Sequence, residues 1–326
     1  MMKYFIYKLK FLTPVRFGTC NAGAELAQGK MACTADTLFS ALCQEWIAVF
    51  GQKGFDELIA AVQGNQIFLS DMFPWCGLEL YLPKPAMPPS VRRNTDVEGL
   101  KDRKALKKLV YIPVSRFADY IKFLHNGGDL PWLEEIVEPG YEQLLYRANI
   151  AREQDTVPYP VMVYRFKENS GLYFILRSTE YWRERFDIVV ESLGLTGIGG
   201  KRSSGLGKFE LAEESFETGL YDSDIMLEKM LLEDANLYML LSVLSPGQEE
   251  LGIAKQANSY YNLVKRTGYV ASPDYADTWL KKKPVVMFGA GSCFPEKIRG
   301  RVLDVSDCGG HPVYRYGKGM YVGVKV

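Results

Sequence analysis

No stretch restricts the folding of this chain more than Gly194 to Lys208, fifteen residues holding six glycines and three cations, with no carboxylate between Glu191 and Glu210. Glycine lacks a Cβ, so such a run lets main-chain N–H groups turn toward a ligand and approach it closely, which suits a phosphate chain. Trp182, Phe186, Val189 and Leu193 precede it at helical spacing with Gly194 as a stop signal, and Leu206 to Leu211 reads as a short strand after it. The glycines join a helix to a strand, and the ligand they suit is anionic. The competing reading is a plain connection whose charges are solvated.

Two common phosphate loops are excluded. A Walker A loop follows a strand and needs Gly-Lys-Ser/Thr, whereas Gly200-Lys201 is followed by Arg202 and the element order is reversed. The dinucleotide fingerprint fails as well, because Arg202 stands where its third glycine belongs and no strand precedes the run.

With 326 residues, 47% of them hydrophobic and 13% aromatic, the chain can fill the cores of two domains. Its 39 basic residues balance 39 acidic ones, so any nucleic-acid surface must be local. Lys3, Lys8 and Lys10 interrupt the apolar residues at the N-terminus, which argues against a signal peptide, and no stretch approaches a membrane span. A cytoplasmic location is expected. Cys20, Cys33, Cys43, Cys76, Cys293 and Cys308 form no CxxC pair and read as reduced, mostly packing thiols. His125 and His311 are the only histidines and lie far apart, so neither a metal centre nor a cofactor is expected.

In chain order, residues 3–12 alternate as a half-buried strand, with Phe5, Tyr7, Leu9 and Phe11 on one face. Asp36 opens a helix over 36–50 with Leu38, Leu42, Trp46 and Val49 along one side. Two short apolar runs lie within 66–82, separated by Asp71-Met72-Phe73-Pro74. From Lys84 to Lys108, eight cations face three acids behind four prolines, which reads as an extended insertion rather than core. Two readings are open there: a segment that orders on a polyanion, and a solvated charged loop. A helix is predicted over 116–124, a turn at Gly127-Gly128-Asp129, an emphatic strand over 171–178 and a helix over 181–193.

The order strand, helix, strand, strand, helix, strand is the ferredoxin-like βαββαβ pattern, with 83–170 inserted in it. Acidic residues from Glu210 to Asp224 read as a surface connection, placing an N-terminal domain at 1–213 and a smaller strand-rich domain at 214–326. The fold class is α+β.

Several of these stretches carry a resemblance. Ala35-Asp36-Thr37-Leu38-Phe39-Ser40-Ala41-Leu42, Phe73-Pro74, Leu82-Pro83-Lys84-Pro85, Gly171-Leu172-Tyr173-Phe174, the glycine loop and His311-Pro312-Val313-Tyr314-Arg315-Tyr316-Gly317 are together similar to the RAMP superfamily. Within it the chain resembles the fourth-subunit family of the type III-A CRISPR effector, the Csm complex. The resemblance implies tandem RRM-like domains and a subunit that caps one end of that complex. It further implies that the chain holds the repeat-derived 5′ handle of the CRISPR RNA, touches the large signature subunit and the backbone RAMP subunit, and lies near the target RNA, without catalysis of its own. On that likeness Gly197, Gly199, Gly200, Lys201, Arg202, Ser203, Ser204, Gly205 and Gly207 line the RNA backbone. Arg16, Asp36, Ser40, Arg92, Arg93, Arg147, Asn149 and Arg152 complete the expected RNA contacts.

The rival reading is a metal-independent endoribonuclease that processes CRISPR repeat RNA, which needs a proton carrier beside the scissile phosphate. Histidine is the usual choice, but His125 precedes a Gly-Gly turn and His311 lies between Gly310 and Pro312, as loop or structural histidines do. A third reading is a scaffold that joins two protein subunits and presents the glycine loop to one of them.

Overall fold

A computed structural model describes residues 1–18, 29–89, 106–149, 157–272 and 274–325. Its organising strand is β1 (Lys3–Phe11), whose alternation predicts one buried face. Both faces are in fact covered from Phe5 to Leu9, because the chain brings a second layer onto the side that local periodicity marks as polar.

Around β1 the strands β2 (Phe68–Leu69), β3 (Phe73–Cys76), β4 (Glu79–Pro83), β5 (Tyr111–Pro113), β8 (Ser170–Ser178), β9 (Phe209–Leu211) and β10 (Phe216–Glu217) form one antiparallel sheet. Its path is β10-β1-β8-β3-β4-β5, with β9 pairing the other end of β1 and β2 pairing β8. The neighbours β9, β1, β8 and β2/β3 are those of a βαββαβ unit. Phe73-Pro74 belongs to β3 rather than to a separator, with Pro74 opposite Leu172 on β8.

The two helices of the unit are longer than predicted. Helix α1 (Ala35–Gln63) continues past residue 50 through a break at Gly51, where φ is 68°. Helix α3 (Glu180–Thr196) runs through Gly194, and a left-handed Gly197 ends it. Leu38, Leu42 and Trp46 of α1 and Trp182, Phe186 and Val189 of α3 close over Phe5, Tyr7 and Leu9. Trp46 meets Phe186 edge to face at 5.1 Å.

The opposite face of the sheet, with Ile6, Tyr173 and Ile175, is sealed by helix α2 (Phe117–Asn126) and by helix α4 (Asp222–Leu232). The inserted region is therefore partly core: β5 extends the main sheet and Met87, Ile112 and Tyr120 are buried in this cluster. It also carries a long hairpin, β6 (Gly140–Asn149) with β7 (Val157–Phe166).

Helix α4 corrects the reading of the acidic stretch as a connection. The stretch passes through β9 and β10, and its last two acids, Asp222 and Asp224, start the helix, where Asp224, 1% exposed, accepts the N–H of Tyr221 at 2.7 Å. The remaining strands divide among β14-β11-β17 (Cys293–Phe294, Leu237–Leu240, Tyr321–Val324), the pair β12 and β13 (Leu263–Arg266, Val285–Phe288) and the pair β15 and β16 (Leu303–Asp304, Tyr314–Arg315). Val243, Met287 and Tyr316 from this half enter the core beneath α1.

Candidate nucleic-acid interface

The glycine loop is stitched to the segment that leaves β1. The N–H of Gly200 donates to the carbonyl of Arg16 at 2.8 Å, that of Gly207 to Pro14 at 2.9 Å, and that of Ile198 to Gly207 at 2.9 Å. Gly207 has φ 76°, and a Cβ there would sit 1.9 Å from the carbonyl oxygen of Ile198, so only glycine permits this approach. Lys201 also adopts a left-handed conformation, φ 64°, unusual for a residue with a side chain.

The N–H groups of Gly197, Ile198, Gly200, Gly205 and Gly207 all donate within the protein, which narrows the expected cradle to the loop's other amides and its side chains.

Those side chains open onto a cleft of about 280 Å³ lined by Arg16, Ser40, Gly199, Gly200 and Arg202, with Asp36 at its base. Across from them stand Arg266, Lys282 and Arg315 from the second half of the chain, and Lys30 completes the rim. Six cations face a single carboxylate. Potentials add within a narrow cleft with low-dielectric walls, so a chain of zero net charge here offers a strongly positive site.

Asp36 holds the far wall in place. Its Oδ2 accepts from Nε of Arg266 at 3.0 Å and from Arg315, and its Oδ1 accepts the hydroxyl of Thr34 at 2.6 Å. Burial pushes its carboxyl up, but the two guanidiniums and these hydrogen bonds outweigh burial and hold it below the usual carboxylate range. Arg266 also donates to Thr37 at 2.8 Å, Arg202 to Gln44 at 2.8 Å, and Lys282 lies 3.5 Å from the hydroxyl of Ser40. Burial, with Arg315 next to it, lowers the Lys282 ammonium.

Of the residues expected to touch RNA, Arg16, Asp36, Ser40, Gly199, Gly200 and Arg202 converge on this cleft. Gly197 and Gly207 are buried in the packing of the loop, and Ser203 and Ser204 are exposed at its tip. Lys201 turns toward the hairpin, its Nζ 3.2 Å from the Tyr159 hydroxyl, and Arg147 reaches back from β6 to the carbonyl of Ser204 at 3.4 Å. Asn149 ends β6, and Arg92, Arg93 and Arg152 lie outside the described residues.

Lys30, Thr37, Gln44, Arg266, Lys282 and Arg315 escaped sequence reasoning. Arg315 lies in the C-terminal motif quoted for the resemblance; Arg266 and Lys282 sit in unremarkable short strands and turns, and only folding brings them to α1.

RNA-recognition modules stack bases on the open face of their sheet. Here that face is covered, and Lys8 on it is enclosed by the rings of Trp75, Phe216 and Tyr221 at 5.2–5.7 Å and paired with Glu213 at 3.0 Å. The histidines lie elsewhere: His311 engages Ser272 at 2.8 Å and the Pro312 carbonyl at 2.9 Å, and His125 lies in the last turn of α2. Among the described residues no group of His, Cys, Asp and Glu could hold a metal, and no helix is long and apolar enough to cross a membrane.

The βαββαβ sheet, whose second helix passes through a glycine loop into its last strand, is the arrangement that the likeness to the RAMP class implies. Over 300 residues it is 33% identical to the CRISPR system Cms protein Csm4 of Mycobacterium tuberculosis, covering 91% of each chain. The chain belongs to the Csm4 family. The Csm4 of Streptococcus thermophilus is 27% identical over 329 residues, 98% of this chain and 99% of the relative. The family model for the CRISPR Csm4 C-terminal domain matches residues 233–324. Two solved structures share the fold. The crystal structure of a Csm1-Csm4 cassette in complex with cA4 contains a chain with TM-score 0.64 at 19% identity, covering 99% of this chain and 98% of that one. A Csm3-Csm4 subcomplex of the type III-A interference complex contains one with TM-score 0.63 at 17% identity, covering 99% of both.

Proposed function

We propose that this chain is the RNA-holding, non-catalytic subunit of a type III-A CRISPR effector, gripping the 5′ handle of the CRISPR RNA and bridging the large signature subunit to the backbone subunit. The observation that carries the reading is the cleft in which the glycine loop and the second half of the chain set six cations against one buried carboxylate. Cations on fixed supports bind phosphates and set register without reading bases. Structures containing Csm4 with Csm1 and Csm4 with Csm3 support a subunit that touches both kinds of neighbour. Phosphates in the cleft would be met by Arg16, Arg202, Arg266 and Lys282, beside whichever loop amides do not already donate within the protein. Neither histidine lines the cleft, which supports holding rather than cutting.

The test is coexpression of the chain with the other subunits of the complex, purification, and sequencing of the bound RNA. A constant 5′ end is expected, and a random one overturns handle binding. Replacing Arg202 and Lys282 together by alanine should weaken RNA binding and flatten its salt dependence by up to about 0.7 per lost phosphate contact. An unchanged slope moves the RNA to another surface.

A further inference from the structure

Trp279 is 80% exposed, whereas Trp46, Trp75, Trp132 and Trp182 are all 6% exposed or less. A side chain of this size left in water is the kind of surface that a partner covers. It does not stand alone. Tyr269 meets it edge to face at 6.3 Å and is itself 49% exposed, and the ammonium of Lys281 lies 5.7 Å from the Tyr269 ring.

The backbone explains the grouping. Tyr269 pairs with Lys281 in an antiparallel bridge, Val270 donates to Leu280 at 2.9 Å, and Lys282 donates to Gly268 at 2.8 Å. Side chains alternate along such a ribbon, so Tyr269, Trp279 and Lys281 share its outer face. Val270 and Leu280 pack inward, and Lys282 turns into the cationic cleft. One backbone layer separates the aromatic pair from the phosphate-binding wall.

We infer that Trp279, flanked by Tyr269 and Lys281, is a stacking platform for an unpaired base of the same RNA strand whose phosphates occupy the cleft. This rests on the cleft reading above. A strand held at Lys282 by a phosphate can turn over the ribbon edge and lay a neighbouring base on the indole. Every base has a π-face, so the platform needs no particular sequence, and Lys281 adds positive charge where the strand crosses. The ammonium of Lys281 beside the rings favours RNA over an apolar protein surface as the occupant.

The other four tryptophans emit too but are buried away from contact with a base, so quenching by stacking falls on Trp279, and Trp279→Phe gives the baseline of the other four. The full chain is titrated with a short single-stranded oligoadenylate and with variants carrying one abasic ribose at each position in turn. Expected are quenching by the intact oligomer, loss of that quenching when the abasic site falls at one particular position, and roughly five-fold or greater weakening by Trp279→Ala that Trp279→Phe largely restores. Binding that is lost in Arg202→Ala/Lys282→Ala but leaves the emission untouched and is indifferent to Trp279→Ala overturns the platform and keeps the cleft. Quenching and affinity that persist in the double variant overturn the cleft reading instead. An emission change produced by the partner subunits without RNA makes Trp279 a protein contact and overturns the platform.

Discussion

Arg315, on a two-residue strand near the end of the chain, donates to Asp36 in the first turn of α1 across 279 positions of sequence, and both side chains are at most 5% exposed. This pair and its neighbour Arg266 lock the second half of the molecule to the helix that borders the glycine loop. Removing one partner of a buried ion pair strands the other in low dielectric. Asp36→Asn should therefore cost about 3–5 kcal/mol in urea denaturation and should weaken RNA binding as Arg266 and Arg315 lose their anchor. The Asp36 carboxyl is held below its ordinary range, so its contribution is complete above that range and disappears only as acid carries the pH through the lowered value. Unchanged stability in Asp36→Asn would show that the arginines find other partners.

Asp71 behaves in the opposite sense. Burial pushes its carboxyl up to about 7, against hydrogen bonds from the N–H groups of Ala35 at 2.7 Å and Val243 at 3.0 Å. A carboxyl raised on folding contributes stability that is present below its unfolded value near ~4 and is lost as pH rises through the folded value. The wild-type protein should lose on the order of a few kcal/mol from this group between mildly acid and mildly alkaline solution. Asp71→Asn keeps both hydrogen bonds and should remove that slope. Parallel pH dependences for the two proteins, measured by urea denaturation, would refute the assignment.

The glycines of the loop differ in what they require. Gly205 and Gly207 both have positive φ, but a Cβ at Gly205 meets nothing within 4 Å while one at Gly207 would strike the Ile198 carbonyl. Gly205→Ala should cost only the conformational penalty, about 1–2 kcal/mol, and Gly207→Ala clearly more, with a matching loss of RNA affinity. Thermal unfolding and RNA titration of the two variants check the order, and equal effects would show that the loop moves to accommodate the methyl group.

Lys8 tests which surface meets RNA. Its side chain is 4% exposed in its cage of three rings, so methionine keeps the packing there. The carboxylate left behind, Glu213, is 31% exposed and keeps the hydroxyl of Tyr221 at 2.9 Å, so water screens it and the loss stays small. Lys8→Met should leave the melting temperature within a few degrees of wild type and leave RNA affinity unchanged. Weaker binding at unchanged stability would return the RNA to the sheet face used by RNA-recognition modules.

The local patterns were legible because local patterns have local causes. The alternation of residues 3–11, the helical spacing from Trp182 to Leu193 and the glycine run itself each follow from the period of one element or from a missing Cβ, and the order of those elements spells the βαββαβ unit. Arg16, Asp36, Ser40 and Arg202 were named through the family resemblance, and the fold brings them to one cleft.

What the sequence by itself determined is therefore the frame of the first unit and the glycine loop that joins its second helix to its last strand. Which layer covers the second face of β1, that Asp222 and Asp224 start a helix, and that Arg266, Lys282 and Arg315 turn the loop into a cleft were decided only in three dimensions. The physical reason is that periodicity records which side of an element is apolar, whereas burial of a lysine among three rings, or of Asp36 between two arginines, depends on residues hundreds of positions away. Two-residue strands such as that of Arg315 carry no period at all; their place is set by the partners they meet.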